Sequence, residues 1–163
     1  MEAYLVATAC TKFEKKADQT FKSLTEEVYC DLLKSAKLEN GNMIGQAWFG
    51  NCGMGTFGQN NIRGQVCFTP LVQKKLFPER VGIINVEGGC ATGSMAFHGA
   101  WKDVISGTED VSLAIGVEKI YQPNQPEKIQ EIYDGGIDQF DRNEWLDFYL
   151  SLIHISEPTR LPG

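Results

Sequence analysis

The sequence predicts an α/β fold built on parallel strands, and three observations carry that expectation. The run Val81-Gly82-Ile83-Ile84-Asn85-Val86 is short, β-branched and largely apolar on both sets of alternating positions, as in a strand covered on both faces. Residues 92–106 then place apolar side chains at helical spacing up to Gly107, and a second apolar run follows from Val111 to Lys119. Strand, helix and strand therefore alternate as in a βαβ unit. The chain has 163 residues, 42% of them hydrophobic, which is enough for one sizeable core in a single domain.

Each element has its own signal. Ala3 to Thr8 reads as a first short strand, and the charged segment from Lys12 to Lys22 as an exposed loop. Ser23-Leu24-Thr25-Glu26 has capping-box spacing, and Leu24, Val28, Leu32, Leu33 and Ala36 share one face of the helix that follows, with Asn40-Gly41 as its stop. Met43 to Phe49 predicts a second strand, while the glycine- and asparagine-rich stretch from Asn51 to Gly64 has no clear period. Val66 to Leu76 predicts a helix that Pro70 bends or interrupts unless it lies in the first turn. The clearest part is the strand at 81–86, a tight turn, a helix from about Thr92 to Ser106 and the strand beyond Gly107. Its two strands should be parallel and joined by a right-handed crossover. From Gln122 to Tyr149, two prolines, Asp134-Gly135-Gly136 and many acidic residues predict a surface excursion of loop and short helices.

Composition narrows the function. A formal net charge of −6 argues against nucleic-acid or anionic-membrane partners, which require a basic patch. No run of about eighteen apolar residues predicts a membrane span, and the N-terminus lacks the basic and apolar regions of a secretion signal. Cysteines 10, 30, 52, 67 and 90 form no CxxC pair and are odd in number, so reduced thiols in the cytoplasm are expected.

Among these cysteines, Cys90 has the setting of a catalytic thiol. It follows the predicted strand through Glu87-Gly88-Gly89 and opens the predicted helix. Gly88 and Gly89 allow a sharp reversal, with Gly93 completing the small-residue support of the turn. At a helix start the unsatisfied N–H groups and the positive end of the dipole favour an anion, the form in which a thiol is a nucleophile. The position also lies at the carboxyl end of a strand, where open α/β sheets hold their sites. The competing reading is a small buried hydrophobe, the commonest fate of a free cysteine.

The stretch Asn85-Val86-Glu87-Gly88-Gly89-Cys90-Ala91-Thr92-Gly93-Ser94-Met95-Ala96, with the later Val111-Ser112-Leu113-Ala114-Ile115-Gly116-Val117-Glu118-Lys119, resembles the nucleophile region of the thiolases. The resemblance is nearest to the branch of the sterol carrier protein x thiolase domain and extends over residues 1 to about 149. It implies a thiolase-like N-terminal half with a mixed, mostly parallel sheet and a buried nucleophile helix at the centre of the fold. Residues 1–121 would form that α/β domain, and 122–149 the start of an inserted loop domain that helps bind coenzyme A. Cys90 would take an acyl group from a coenzyme A thioester, with its backbone N–H a possible oxyanion donor. Coenzyme A is then a substrate, with no tightly bound cofactor and no metal. A homo-oligomer is implied for the full-length parent, in the cytoplasm or, in a eukaryote, the peroxisome. Thiolases also use histidines and a second cysteine from their C-terminal half, which would lie beyond residue 149, so the fragment alone is expected to be inactive. A ketoacyl-synthase-like condensing enzyme and a non-catalytic binding or assembly module are the alternatives.

Other motifs carry less. Gly53-Met54-Gly55-Thr56-Phe57-Gly58 matches the dinucleotide pattern GxGxxG, but Gln59 to Gly64 is a poor helix opening, so a plain glycine-rich loop with a structural Cys52 is expected. His98 is two helical turns beyond Cys90, roughly 12 Å along the axis, too far for a direct base, and reads as a surface residue. Asp134, Asp138, Asp141 and Glu144 do not fit the calcium-loop spacing and read as a solvated face. No paired Cys/His spacing supports zinc. Leu150 to Arg160 closely resembles the in-frame translation of a sequencing adaptor, which makes 150–163 an artificial tail, with no chemistry given to His154 or Glu157.

Overall fold

The computed structural model describes residues 2–148, so the adaptor-like segment 150–163 lies outside the described residues. The elements are helix α1 (Phe21–Ala36), strand β1 (Gln46–Gly50), a 3₁₀ turn (Gly53–Phe57), helix α2 (Arg63–Gln73), strand β2 (Gly82–Val86), a second 3₁₀ turn (Gly89–Ala91), helix α3 (Thr92–Ser106), strand β3 (Ser112–Gly116) and helix α4 (Lys128–Asp134). Further helical backbone spans 142–148. The strands form a parallel sheet in the order β2-β1-β3, with Gln46 opposite Gly82 on one side and Ser112 on the other.

Alternation along β1 builds three layers. Ala47 and Phe49 point into the core formed with α1 and α2, where Phe49, Phe68, Tyr29 and Phe77 meet edge to face with centroids 4.5–6.2 Å apart. Trp48 and Gly50 point to the other face, against Gly99 and Thr92 of α3. Leu113 and Ile115 of β3 join the first core, while Ser112 reaches Asp103 of α3. The α/β class and parallel sheet expected from the sequence are present.

Several expectations change. No strand forms over Ala3 to Thr8: the segment pairs with neither sheet edge, and Tyr4, Leu5 and Val6 are exposed. Without a ladder to satisfy its N–H and C=O groups, an alternating pattern stays irregular. The capping box lies three residues earlier than read: Thr20 Oγ1 accepts the Ser23 N–H at 3.1 Å and Ser23 Oγ accepts the Thr20 N–H at 2.8 Å. Helix α1 stops at Lys37, whose φ is 57°, not at Asn40-Gly41. Pro70 is the eighth residue of α2, yet the helix continues for three more residues.

The strand read as covered on both faces is an edge strand, with Ile84 exposed. The βαβ unit spans two sheet positions because β1 lies between β2 and β3. Helix α3 and its stop agree with the sequence reading: Gly107, at φ 76°, caps the helix after Ser106. Burial of α3 follows one stripe, Thr92, Ala96, Gly99 and Ala100. Trp101, Met95 and Phe97 on its other side are 42%, 44% and 55% exposed.

Candidate active site

All three strands deliver their carboxyl ends to one edge of the sheet, and the residues just after them are bonded into a single polar knot. Asn51, one residue past β1, is buried. Its N–H reaches Val86 O at 3.3 Å, its side-chain nitrogen donates to Val117 O at 2.7 Å and Glu118 Oε1 at 2.9 Å, and its side-chain oxygen accepts the Met54 N–H at 2.9 Å. Every side-chain group of this buried amide that faces protein is matched, as burial demands. Arg63 of α2 donates to Asn51 O at 2.7 Å and closes the knot from the helix side.

Glu118, two residues past β3, accepts the backbone N–H of Cys52 at 2.8 Å and of Gly53 at 3.0 Å. A protein carboxylate thus already occupies the N–H groups at the start of the glycine-rich loop. The loop turns as a 3₁₀ helix over Gly53–Phe57, with α2 starting only at Arg63, so the GxGxxG match lacks its helix.

The turn after β2 carries Cys90. Gly89 has φ 57°, a left-handed conformation that a side chain resists, and its N–H donates to Glu87 Oε1 at 2.7 Å. Gly88 is extended at φ −162°, but a Cβ there would meet Met95 Sδ. Gly93 is the second residue of α3, outside the turn, with open space where its Cβ would stand. Cys90 occupies the middle of the 3₁₀ turn that runs into α3, and its thiol is exposed. Its N–H is thus among the first of a helical run, which lack intrahelical acceptors.

A cleft of about 540 Å³ lies beside this turn. Residues 9–14 and Lys16 line it together with Gly89, Thr92 and Gly93; its lining includes Cys10 and Cys52 but not Cys90. Cys52 Sγ is 3.1 Å from Gly89 O and 3.0 Å from Thr92 Oγ1. Burial pushes the Cys52 thiol upward, opposed by the Thr92 contact and reinforced by Glu118 and Glu87. It therefore stays protonated, in keeping with a structural role. Lys119, also on the cleft wall, is buried, with Nζ 3.0 Å from Tyr121 O.

His98 is exposed on α3 and stacks on Trp101, with centroids 5.4 Å apart. Asp138, Asp141 and Glu144 are exposed, and Asp134 pairs with Arg142. The sequence reading did not single out Asn51, Thr92 or Glu118. Their signal was position: polar residues placed directly after the carboxyl ends of parallel strands converge on the same edge.

Residues 3–141 match the model of the thiolase N-terminal domain. Over 117 residues the chain is 32% identical to the benzoylsuccinyl-CoA thiolase subunit BbsB of Thauera aromatica, covering 72% of this chain and 28% of that protein. Over 111 residues it is 32% identical to an acetyl-CoA acetyltransferase of Methanocaldococcus jannaschii, covering 68% of this chain and 26% of that protein. The chain thus spans little more than a quarter of the length of these curated relatives.

Proposed function

The chain belongs to the thiolase family, whose N-terminal domain it carries, and on that premise we propose that it supplies the nucleophile of an acyl-CoA acyltransferase, Cys90. The observation that supports this role is the placement of an exposed thiol in the turn between β2 and α3, at the carboxyl edge of the sheet and the amino end of a helix. In the first step, Cys90 Sγ attacks the thioester carbonyl of an acyl-CoA or the 3-keto carbonyl of a 3-ketoacyl-CoA. A tetrahedral oxyanion forms, and its collapse leaves the acyl group on sulfur while coenzyme A, or the enolate of its acetyl thioester, departs and takes up a proton. The Cys90 N–H is suited to receive the oxyanion. In the second step the acyl group passes to the thiol of coenzyme A or to the α-carbon of a second acyl-CoA. Coenzyme A acts as a substrate throughout, with no tightly bound cofactor.

Proton transfer needs a base that the described residues do not place beside Cys90. His98 lies eight residues beyond Cys90, exposed on α3. That base would come from the remainder of a full-length thiolase, so the 163-residue chain accepts an acyl group on Cys90 but does not turn over. A homo-oligomer is part of the same proposal, with β2, an edge strand among the described residues, beside the nucleophile turn.

Intact-mass measurement after incubation with acetyl-CoA tests the reading. The wild-type chain should gain an acetyl group that Cys90→Ala does not, and equal gain by both chains would overturn the assignment. Cleavage of acetoacetyl-CoA by the isolated chain at the rate of a full-length thiolase would contradict the division of labour.

A further inference from the structure

We propose that Thr92 and Cys52 are positioning residues for Cys90, locking the two-glycine turn that carries it. This inference rests on the acyl-transfer reading for its purpose, but its geometry is independent of that reading. Thr92 Oγ1 donates to Gly89 O at 2.7 Å and accepts the Gly88 N–H at 2.9 Å. A hydroxyl has one proton and two lone pairs, and with its proton given to Gly89 O the remaining lone pair faces Cys52 Sγ at 3.0 Å, where the thiol's single proton is shared with Gly89 O. The same sulfur lies 3.1 Å from Gly89 O. One buried hydroxyl thus holds both glycines of the hinge, and the Cys52 thiol backs that hydroxyl and Gly89 O with its one proton.

The lock is anchored away from the turn. Glu118 Oε2 takes the Cys52 N–H, and Oε1 takes the Gly53 N–H and the Asn51 side chain, so Cys52 is tied to the ends of β1 and β3. Gly50 admits Thr92 from below, since a Cβ at Gly50 would stand 2.9 Å from the Thr92 methyl. Gly88 and Gly89 have no side chains with which to restrain themselves, and exposed Cys90 has little packing to direct its sulfur. The direction of the thiol and of the turn's N–H groups is therefore set by what grips the two glycines. Because burial keeps the Cys52 thiol protonated, the donor it contributes persists at neutral pH.

The test compares alkylation of Cys90 by iodoacetamide with that of Cys10, which is also exposed and serves as an internal standard. Thr92→Val keeps the methyl and deletes the hydroxyl, and should slow Cys90 relative to Cys10 by about tenfold, the scale of lost hydrogen bonds. Thr92→Ser keeps the hydroxyl and should restore the wild-type ratio, which a role in packing alone would not produce. Cys52→Ala removes only the thiol donor and should slow Cys90 less, in the same direction; it also decides the matter if Thr92→Val loses its circular dichroism spectrum. An unchanged Cys90 to Cys10 ratio in the folded variants would overturn the proposal. Repeating the series with acetyl-CoA separates it from the acyl-transfer reading. Acetylation of Cys90 that ignores both substitutions removes the lock and leaves the reading, while variant-sensitive alkylation without any acetylation removes the reading and leaves the lock.

Discussion

The Trp48 indole N–H donates to Asp103 Oδ2 at 2.6 Å, and the same oxygen accepts the Ser112 hydroxyl at 2.8 Å. One carboxylate on α3 therefore binds β1 and β3 to the helix whose amino end carries the nucleophile turn. Hydrogen bonds to a charged acceptor contribute more than neutral ones, and deleting the acceptor strands both donors. Asp103→Ala should destabilise the chain by about 2–3 kcal/mol, read as a lower urea midpoint with unchanged slope. A midpoint equal to wild type would show that the carboxylate does not join the layers.

Two glycines on α3 should respond in opposite directions. A Cβ on Gly99 would enter the Trp48 ring, a rigid neighbour, so Gly99→Ala should cost about 1–3 kcal/mol. Gly93 has nothing within 4 Å of its Cβ position, and Gly93→Ala should stabilise by about 0.4–1 kcal/mol through a less disordered unfolded state. Thermal or urea unfolding of the pair checks both signs.

Cysteine labelling should follow exposure and acidity together. Cys10 and Cys90 are exposed, Cys30 and Cys52 are half-buried, Cys67 is buried, and burial raises the last three thiols. Site-resolved mass spectrometry with iodoacetamide should show Cys10 and Cys90 modified first and Cys67 last. Early modification of Cys67 would mean that the core against Phe68 and Leu71 opens readily.

The same thiols make stability fall on the alkaline side. Cys30, Cys52 and Cys67 are held above their ordinary values, chiefly by burial, so the native state retains protons that the unfolded chain releases near pH ~8.5. Stability from this source is complete below that pH and declines as pH rises toward the higher native values. The urea midpoint should therefore drop between about pH 8 and pH 9.5, and Cys67→Ala should flatten the drop while lowering the midpoint at pH 7.

Periodicity found what local pattern determines. The run from Thr92 to Ser106 and the stop at Gly107 were legible because apolar spacing and a left-handed glycine are local signals. The strand after Gly82 was legible as a strand, but not as an edge, because strand order is decided by which strand arrives between the others. Ala3 to Thr8 has a strand's composition without a partner, a fact that lies elsewhere in the chain. The turn carrying Cys90 showed itself through Gly88-Gly89. The network of Asn51, Cys52, Thr92 and Glu118 joins residues as many as 67 positions apart, and no local window contains such a network.

Cys90 is the proposed acceptor of the acyl group, and Cys10 in the same chain is its control, since both cysteines are exposed. The most direct measurement is peptide mapping after timed exposure to acetyl-CoA, with the acetyl thioester counted at each cysteine. Acetyl accumulating at Cys90 well ahead of Cys10, Cys30, Cys52 and Cys67 is the predicted result; acetyl shared equally between Cys90 and Cys10, or favouring Cys10, would contradict it.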